Sequence, residues 1–298
     1  RDRFFINYWK PKIAIFVDSE VWPNMYKNLY RKKIPLILLN ARITKKSFDR
    51  WSKVKRFSNS IFGLIDKAYS QNSETNFYLD KLNVRNIKFI GNLKFIENDN
   101  FKTNKADKKI FSQFKKYKTF IAASTHESEE LFAAKTHILL NKKNKNIITI
   151  IIPRHINRVK QIIGEISELG LNVVSRSSKK LKLKDIDIFI VDTFGETKKF
   201  YKFATTVFLG KSIVKGGGQN PLEPARFGAK ILHGPDVNNF KDVYKYLRKL
   251  KISSVVSSPQ KCANSIIFKK NMRKVQKMKY LGSTILKNCL LYTSTSPR

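Results

Sequence analysis

From about residue 12 to residue 233, short β-rich apolar runs alternate with longer stretches of helical character, and few folds accommodate that rhythm. The runs K-I-A-I-F-V (12–17), P-L-I-L-L-N (35–40), a segment near 65–70 and I-K-F-I (87–90) form a first series. Helical segments near 22–32, 44–57 and 73–82 separate them. A second series holds T-F-I-A-A-S (119–124), I-I-T-I-I-I (147–152), V-V-S (173–175), I-D-I-F-I-V (186–191), T-T-V-F-L (205–209) and K-I-L-H (230–233). Runs this short and this continuously apolar suit strands covered on both faces, which is the situation of a parallel sheet with crossover helices. Two successive series predict an α/β protein of two doubly wound, Rossmann-like domains facing each other across a cleft.

Residues 96–117 are polar and lack a strong period, so they are read as the linker. The expected domains are residues 1–105 and 106–288, and a long basic helix is expected over 258–287. The tail C-L-L-Y-T-S-T-S-P-R (289–298) does not continue that helix and is set aside as a non-native extension. The chain opens without Met and enters a strand-like run within a dozen residues. This predicts that the first domain is entered part-way, with its beginning outside the chain.

At 298 residues the chain can bury two sizeable cores without disulfide or metal staples. Its two cysteines, Cys262 and Cys289, fit neither a metal-ligand nor a redox spacing, which favours a reduced, cytosolic compartment. No apolar run reaches the roughly 18 residues of a membrane span, and no signal peptide opens the sequence. Sixty Lys and Arg against 22 Asp and Glu give a net charge of +38. AT-rich coding DNA accounts for part of that excess. The functional reading is attraction to an anionic membrane surface or a phosphorylated substrate. K-K-N-M-R-K-V-Q-K-M-K (269–279) is the candidate lipid contact, or else an ordinary solvated helix face. Nucleic acid is not expected, because zinc-finger, helix-turn-helix and aromatic RNA-binding signatures are missing.

The most informative segment is V-F-L-G-K-S-I-V-K-G-G-G-Q-N-P-L-E-P (207–224). A strand leads through Gly216, Gly217 and Gly218 to a helix whose start is marked by Asn220 and Pro221. Glycines let backbone approach a ligand, and free N–H groups at a helix start favour an anion. Glu223, in the first turn, suits ribose hydroxyls. Alone, the segment also reads as a capped glycine turn. It is neither a P-loop, since Thr205 holds the required glycine position, nor a dinucleotide fingerprint, since Pro221 holds the last.

Further candidates stand at other strand ends. In A-S-T-H-E-S-E-E (123–130), Ser124 and Glu127 form a capping box, and the Ser124 and Thr125 hydroxyls are available to phosphate. Pro153 and Arg154 end another strand, and an Arg fork suits phosphate. D-T-F-G-E (192–196) presents Glu196 beside a flexible Gly195. In V-D-S-E-V-W-P-N (17–24), Asp18 and Glu20 form a D-x-E pair. A third ligand is lacking nearby, so no metal is expected. N-A-R-I-T-K-K-S (40–47) and G-N-L-K (91–94) follow strands in the same way.

In this order, D-S-E-V-W-P-N, N-A-R-I-T-K-K-S, G-N-L-K-F, S-T-H-E-S-E-E, P-R-H, D-T-F-G-E and G-G-G-Q-N-P-L-E-P-A resemble the 3-deoxy-D-manno-octulosonic acid (Kdo) transferases of Gram-negative lipopolysaccharide assembly. The resemblance spans about residues 11–260. It implies a GT-B fold and metal-independent, inverting transfer from CMP-Kdo to lipid IV-A, with no cofactor. The site of action is then the cytoplasmic face of the inner membrane.

The resemblance also implies that Asp18 or Glu20, with Lys94, stabilises the transition state, and that Asn40 and Arg42 lie on the acceptor side. It implies a CMP site of Ser124, Thr125, Pro153, Arg154, Phe194, Gly195, Glu196, Gly217, Gly218, Asn220, Pro221, Leu222 and Glu223. The family usually has Glu where Asp18 stands and Gly where Ser128 and Lys211 stand. Ile156 and Asn157 replace its commoner Pro and Glu. Its general base lies in a Gly-Glu motif upstream of everything present here. The expectation is a chain that binds CMP weakly and transfers little Kdo by itself. The rival readings are another GT-B enzyme using a different nucleotide sugar, and a basic nucleic-acid-binding protein without catalysis.

Overall fold

A computed structural model describes residues 2–96, 105–178 and 183–270, together with 273, 276, 278, 280, 283–285 and 287. The chain divides into two compact units, Arg1–Glu97 with Tyr280–Arg298, and Asn98–Lys279.

In the first unit, helix α1 (Asp2–Trp9) precedes strand β1 (Ala14–Val17). Helix α2 (Pro23–Arg31), strand β2 (Leu36–Ala41), helices α3 (Lys45–Ser52) and α4 (Lys55–Phe62) and strand β3 (Lys67–Ser70) follow. Helix α5 (Ser73–Lys81) and strand β4 (Ile87–Phe89) complete the series. The four strands pair in sequence order, all parallel. Thr44 caps α3 by accepting the Ser47 amide, and Asn72 caps α5 by accepting the Thr75 amide. The single helix expected over 44–57 is therefore two, broken where Val54 leaves helical geometry. Aromatic packing fixes the layers: Phe16 meets Tyr26 edge-on at 4.9 Å, and Phe48 stacks on Tyr78 at 4.4 Å.

The second unit opens with helix α6 (Lys105–Phe114), inside the stretch expected to be a linker. Its apolar residues recur at the spacing of one helical face, and Ile110, Phe111 and Phe114 are buried. Phe111 and Phe114 pack edge-on against Phe200 and Phe189 at 5.5 and 5.1 Å, and that burial decides the conformation.

Then come β5 (Lys118–Thr125), α7 (Glu129–Asn141), β6 (Ile147–Pro153), α8 (Val159–Ser167), β7 (Val173–Ser175) and β8 (Ile188–Ile190). Next are α9 (Thr197–Tyr201), β9 (Thr206–Leu209), α10 (Leu222–Arg226), β10 (Lys230–His233), α11 (Lys241–Lys249), β11 (Ser253–Val255) and α12 (Pro259–Ser265). Seven parallel strands run in the order β11-β10-β9-β5-β6-β8-β7. From β5 the chain passes to β6, skips to the edge strand β7, returns to β8 between β6 and β7, and then crosses to β9 on the other side of β5. The topological switch point is therefore between β5 and β9, where such sheets open a crevice at their carboxyl ends.

The long helix expected over 258–287 is interrupted. Helix α12 ends at Ser265, Ile266 is extended, and Ile267 is pinned to the start of β9. The Thr205 and Thr206 hydroxyls donate to the Ile267 carbonyl at 2.7 and 2.8 Å, and Thr206 Oγ1 accepts the Ile267 amide. Most of the basic run 269–279 and all of 289–298 lie outside the described residues. Among the described residues, no helix is long and apolar enough to cross a membrane.

Candidate functional site

In the first unit, three of the residues singled out from sequence converge. Asp18 follows β1 with φ 59°, and Asn40, near the end of β2, has φ 52°. A left-handed backbone is costly for a residue with a Cβ, although Asp and Asn tolerate it best, and non-glycine residues held this way cluster at functional sites. The Asp18 carboxylate accepts the Lys94 ammonium at 2.9 Å and the Asn40 side-chain amide. Asn40 is buried, and its Oδ1 accepts the Leu93 amide at 3.0 Å. The Arg42 amide donates to the Asp18 carbonyl at 3.0 Å, so the turns after β1, β2 and β4 are tied into one cluster. Glu20 does not join it: its carboxylate accepts Trp22 Nε1 at 2.6 Å in an exposed pair.

In the second unit the candidates lie at the carboxyl ends of β5, β6, β8 and β9. Thr125 is buried, and its carbonyl accepts the amide of Arg154, whose own side chain is exposed just beyond Pro153. Phe194 stands 81 % exposed beside Gly195, whose φ is 76°. Glu196 is held by four donors. Arg176 reaches it at 3.1 and 3.4 Å, Lys199 at 3.1 Å, and the Thr193 hydroxyl is the fourth. Burial alone would raise this carboxyl, but the bonds from Thr193, Lys199 and Arg176 outweigh it and keep it below the usual range. Asn220 Oδ1 accepts the Leu222 amide at 3.1 Å, Pro221 and Leu222 are buried, and Glu223 lies 4.0 Å from Lys198.

Two expectations need correction. The capping box of Ser124 and Glu127 does not form: α7 starts at Glu129, and its cap residue Ser128 makes no side-chain cap bond. Ser124 instead has φ 54°, and its carbonyl pairs with His126 Nδ1 at 3.1 Å. The glycine amides are not free for an anion either. Gly216 and Gly217 donate to Asp236 Oδ2 at 2.8 and 3.0 Å, and Gly218 donates to the Lys211 carbonyl at 2.7 Å. Those amide bonds, ahead of the opposing effect of burial, hold the Asp236 carboxyl below its ordinary value. Gly217 has φ 82°, and a Cβ there would run into the Asn239 side chain.

Sequence reasoning passed over Glu129, which is fully buried at the switch point. It also passed over Arg176 and Lys199, the partners of Glu196. The pair Glu129-Glu130 in a helical first turn was the available signal, because two acids followed by an apolar helix start are unusual to bury. Among the described residues, no cluster of three or more His, Cys, Asp or Glu side chains is placed to hold a metal ion.

Both units are all-parallel α/β layers of the GT-B kind, but only the second is doubly wound as expected: the first adds its four strands in one direction, with no switch point among the described residues. Solved structures carry the same architecture. A UDP-N-acetylglucosamine 2-epimerase superposes with a TM-score of 0.61 at 12 % identity, over 100 % of this chain and 77 % of that one. The C-terminal CMP-Kdo binding domain of WaaA from Acinetobacter baumannii gives 0.50 at 20 % identity, over 61 % of this chain and 97 % of that one.

Residues 3–97 match the family described as 3-Deoxy-D-manno-octulosonic-acid transferase (kdotransferase). The chain is 32 % identical over 265 residues to the 3-deoxy-D-manno-octulosonic acid transferase of Rickettsia bellii, covering 89 % of this chain and 63 % of the relative. It is 27 % identical over 281 residues to that of Haemophilus influenzae, covering 90 % and 65 %. Over most of its length the chain is similar to Kdo transferases, and its first unit matches their family model. The chain spans less than two thirds of the length of these curated relatives.

Proposed function

We propose that the protein transfers Kdo from CMP-Kdo to lipid IV-A, by metal-independent, inverting glycosyl transfer, at the cytoplasmic face of a Gram-negative inner membrane. The observation that carries this reading is the Asp18–Lys94 pair, closed at 2.9 Å across 76 positions of sequence and braced by Asn40. As the bond from the sugar to CMP breaks, the phosphate gains negative charge and the sugar becomes cationic. A carboxylate fixed in place stabilises the second charge, and an ammonium beside it the first. Because the groups are preorganised by backbone ties, little reorganisation is needed when charge develops. Asn40 and Arg42 then serve the acceptor side. The strand ends carrying Arg154, Phe194, Glu196 and Asn220–Glu223 supply the CMP site. Glu20, occupied by Trp22, is the lesser candidate for the carboxylate role.

The test is transfer of labelled Kdo from CMP-Kdo to lipid IV-A by the full-length protein. Lys94→Met and Asp18→Asn should each lower kcat by about 10²–10³-fold with KM for CMP-Kdo changed only a few-fold. Retention of parental kcat in both variants would sink the assignment. Competition by UDP rather than CMP would instead favour another GT-B enzyme, in keeping with the epimerase architecture. Salt-sensitive RNA or DNA binding without CMP binding would favour the nucleic-acid reading. The net charge of +38 supports contact with anionic lipid.

A further inference from the structure

Four backbone amides from two strand ends converge on one buried side chain. Glu129 Oε2 accepts the amides of His126 at 3.0 Å and Lys211 at 2.7 Å, while Oε1 accepts those of Ser212 and Ile213, both at 3.0 Å. The residue is fully buried, so its carboxylate is an internal anion seated where β5 and β9 diverge. A run of successive amides turned toward one point is the geometry that elsewhere cradles a phosphate. Here the protein fills it with its own side chain. Gly210 makes room for the arrangement: a Cβ there would meet Thr125 Cα at 2.7 Å and Glu129 Oε2 at 2.6 Å.

The effect propagates along the loop by hydrogen bonds. The Ser212 hydroxyl accepts the Gly234 amide at 2.8 Å, and the Ser212 carbonyl accepts the Asp236 amide at 3.0 Å. Asp236 in turn takes the Gly216 and Gly217 amides. Both ends of the loop before α10 are thus fixed by carboxylates, which take up the amides of residues 211–213, 216 and 217.

We infer that Glu129 is a positioning residue for nucleotide binding: it acts as a built-in substitute anion that holds the 210–218 loop, and through it Asn220–Glu223, in the binding conformation. The inference rests on the nucleotide-binding reading of this unit. It assigns the amides of residues 211–213, 216 and 217 to the protein's own carboxylates rather than to the phosphate of the nucleotide.

The test uses the 298-residue chain with CMP as probe. Glu129→Gln keeps size but places an NH₂ where one carboxylate oxygen accepted amides, so CMP affinity should fall about tenfold or more at a temperature where parent and variant are both folded. Amide exchange at Lys211–Ile213 should accelerate at least tenfold, while that of β6 should not change. A merely structural role would lower the melting temperature and leave affinity among folded molecules alone. Glu129→Asp keeps the charge on a shorter arm and should lose affinity by a smaller factor. It serves as the deciding variant if Glu129→Gln does not fold.

Affinity within twofold of the parent, together with unchanged exchange at 211–213, would overturn the inference. An affinity that rises would overturn it too, because the amides would then be the phosphate site that Glu129 blocks. If the parent binds UDP rather than CMP, the CMP reading falls and the same comparison is run with UDP. If it binds neither, the nucleotide reading falls, and with it the assigned role of Glu129.

Discussion

At Ser128 and Lys211, where the resemblance implies glycine, the backbone is unusual. Both residues are left-handed, with φ of 71° and 56°. That conformation costs a residue bearing a Cβ about 1 kcal/mol and glycine almost nothing. Ser128 is exposed and caps nothing with its hydroxyl, so no interaction offsets its strain. Ser128→Gly should therefore stabilise the second unit by about 0.5–1 kcal/mol and raise its melting temperature by about 1–4 °C. Ser128→Ala, which keeps the Cβ, should give no gain, and calorimetry on the two variants separates the outcomes. Lys211 is the less simple case, because its amide is one of the four on Glu129.

At the scale of elements, the strands were legible because parallel strands buried on both faces carry an unmistakable apolar run. Ile147–Pro153 is buried along its whole length. Strand β11 (Ser253–Val255) was not legible: S-S-V is polar, and it pairs only because β10 offers an edge to Ile252 and its neighbours. Helix α6 differs: its one-face apolar spacing is present in K-A-D-K-K-I-F-S-Q-F but stands among polar residues, and burial of three of its residues fixes the helix. Asp18, Asn40 and Lys94, singled out through the resemblance, are brought together by the fold. The candidate site was not legible where a side chain acts on distant backbone. Nothing near Glu129 announces that residues 211–213 will donate to it. Phe114 is buried between Phe189 and Phe200, so Phe114→Ala should cost about 3–5 kcal/mol in urea unfolding. A linker residue would cost less than about 0.5 kcal/mol.

For the molecule as a whole, acid should act unequally on the two units. His233 is fully buried, and burial pushes its imidazole down to about 4, against the smaller opposing effect of its bond to the Gly234 carbonyl. His137, buried between Thr149 and Asp187, is lowered by burial as well, despite the Asp187 carboxylate. For each, the unfolded chain takes up a proton near pH 6.5 that the folded unit refuses. The stability they confer is therefore complete at neutral pH and is lost as pH falls from about 6.5 toward the folded value. His233 alone accounts for about 2 kcal/mol between pH 7 and pH 5. The lowered carboxyls of Glu196 and Asp236 extend the loss to still lower pH, with the same sign. Glu130 runs the other way. Burial raises its carboxyl, so its contribution is present at low pH and declines as pH rises through the folded value. All five belong to the second unit. Among the described residues of the first unit, the displaced groups are the raised phenols of Tyr26 and Tyr78, which respond to alkali. The three tryptophans, Trp9, Trp22 and Trp51, all lie in that first unit and report on it alone. On moving from pH 7 to pH 5, the urea transition followed by far-UV circular dichroism should acquire an early component. The transition followed by tryptophan fluorescence should hold its midpoint. A fluorescence midpoint that falls in step with the dichroism would show that the buried histidines of the second unit do not set the acid response.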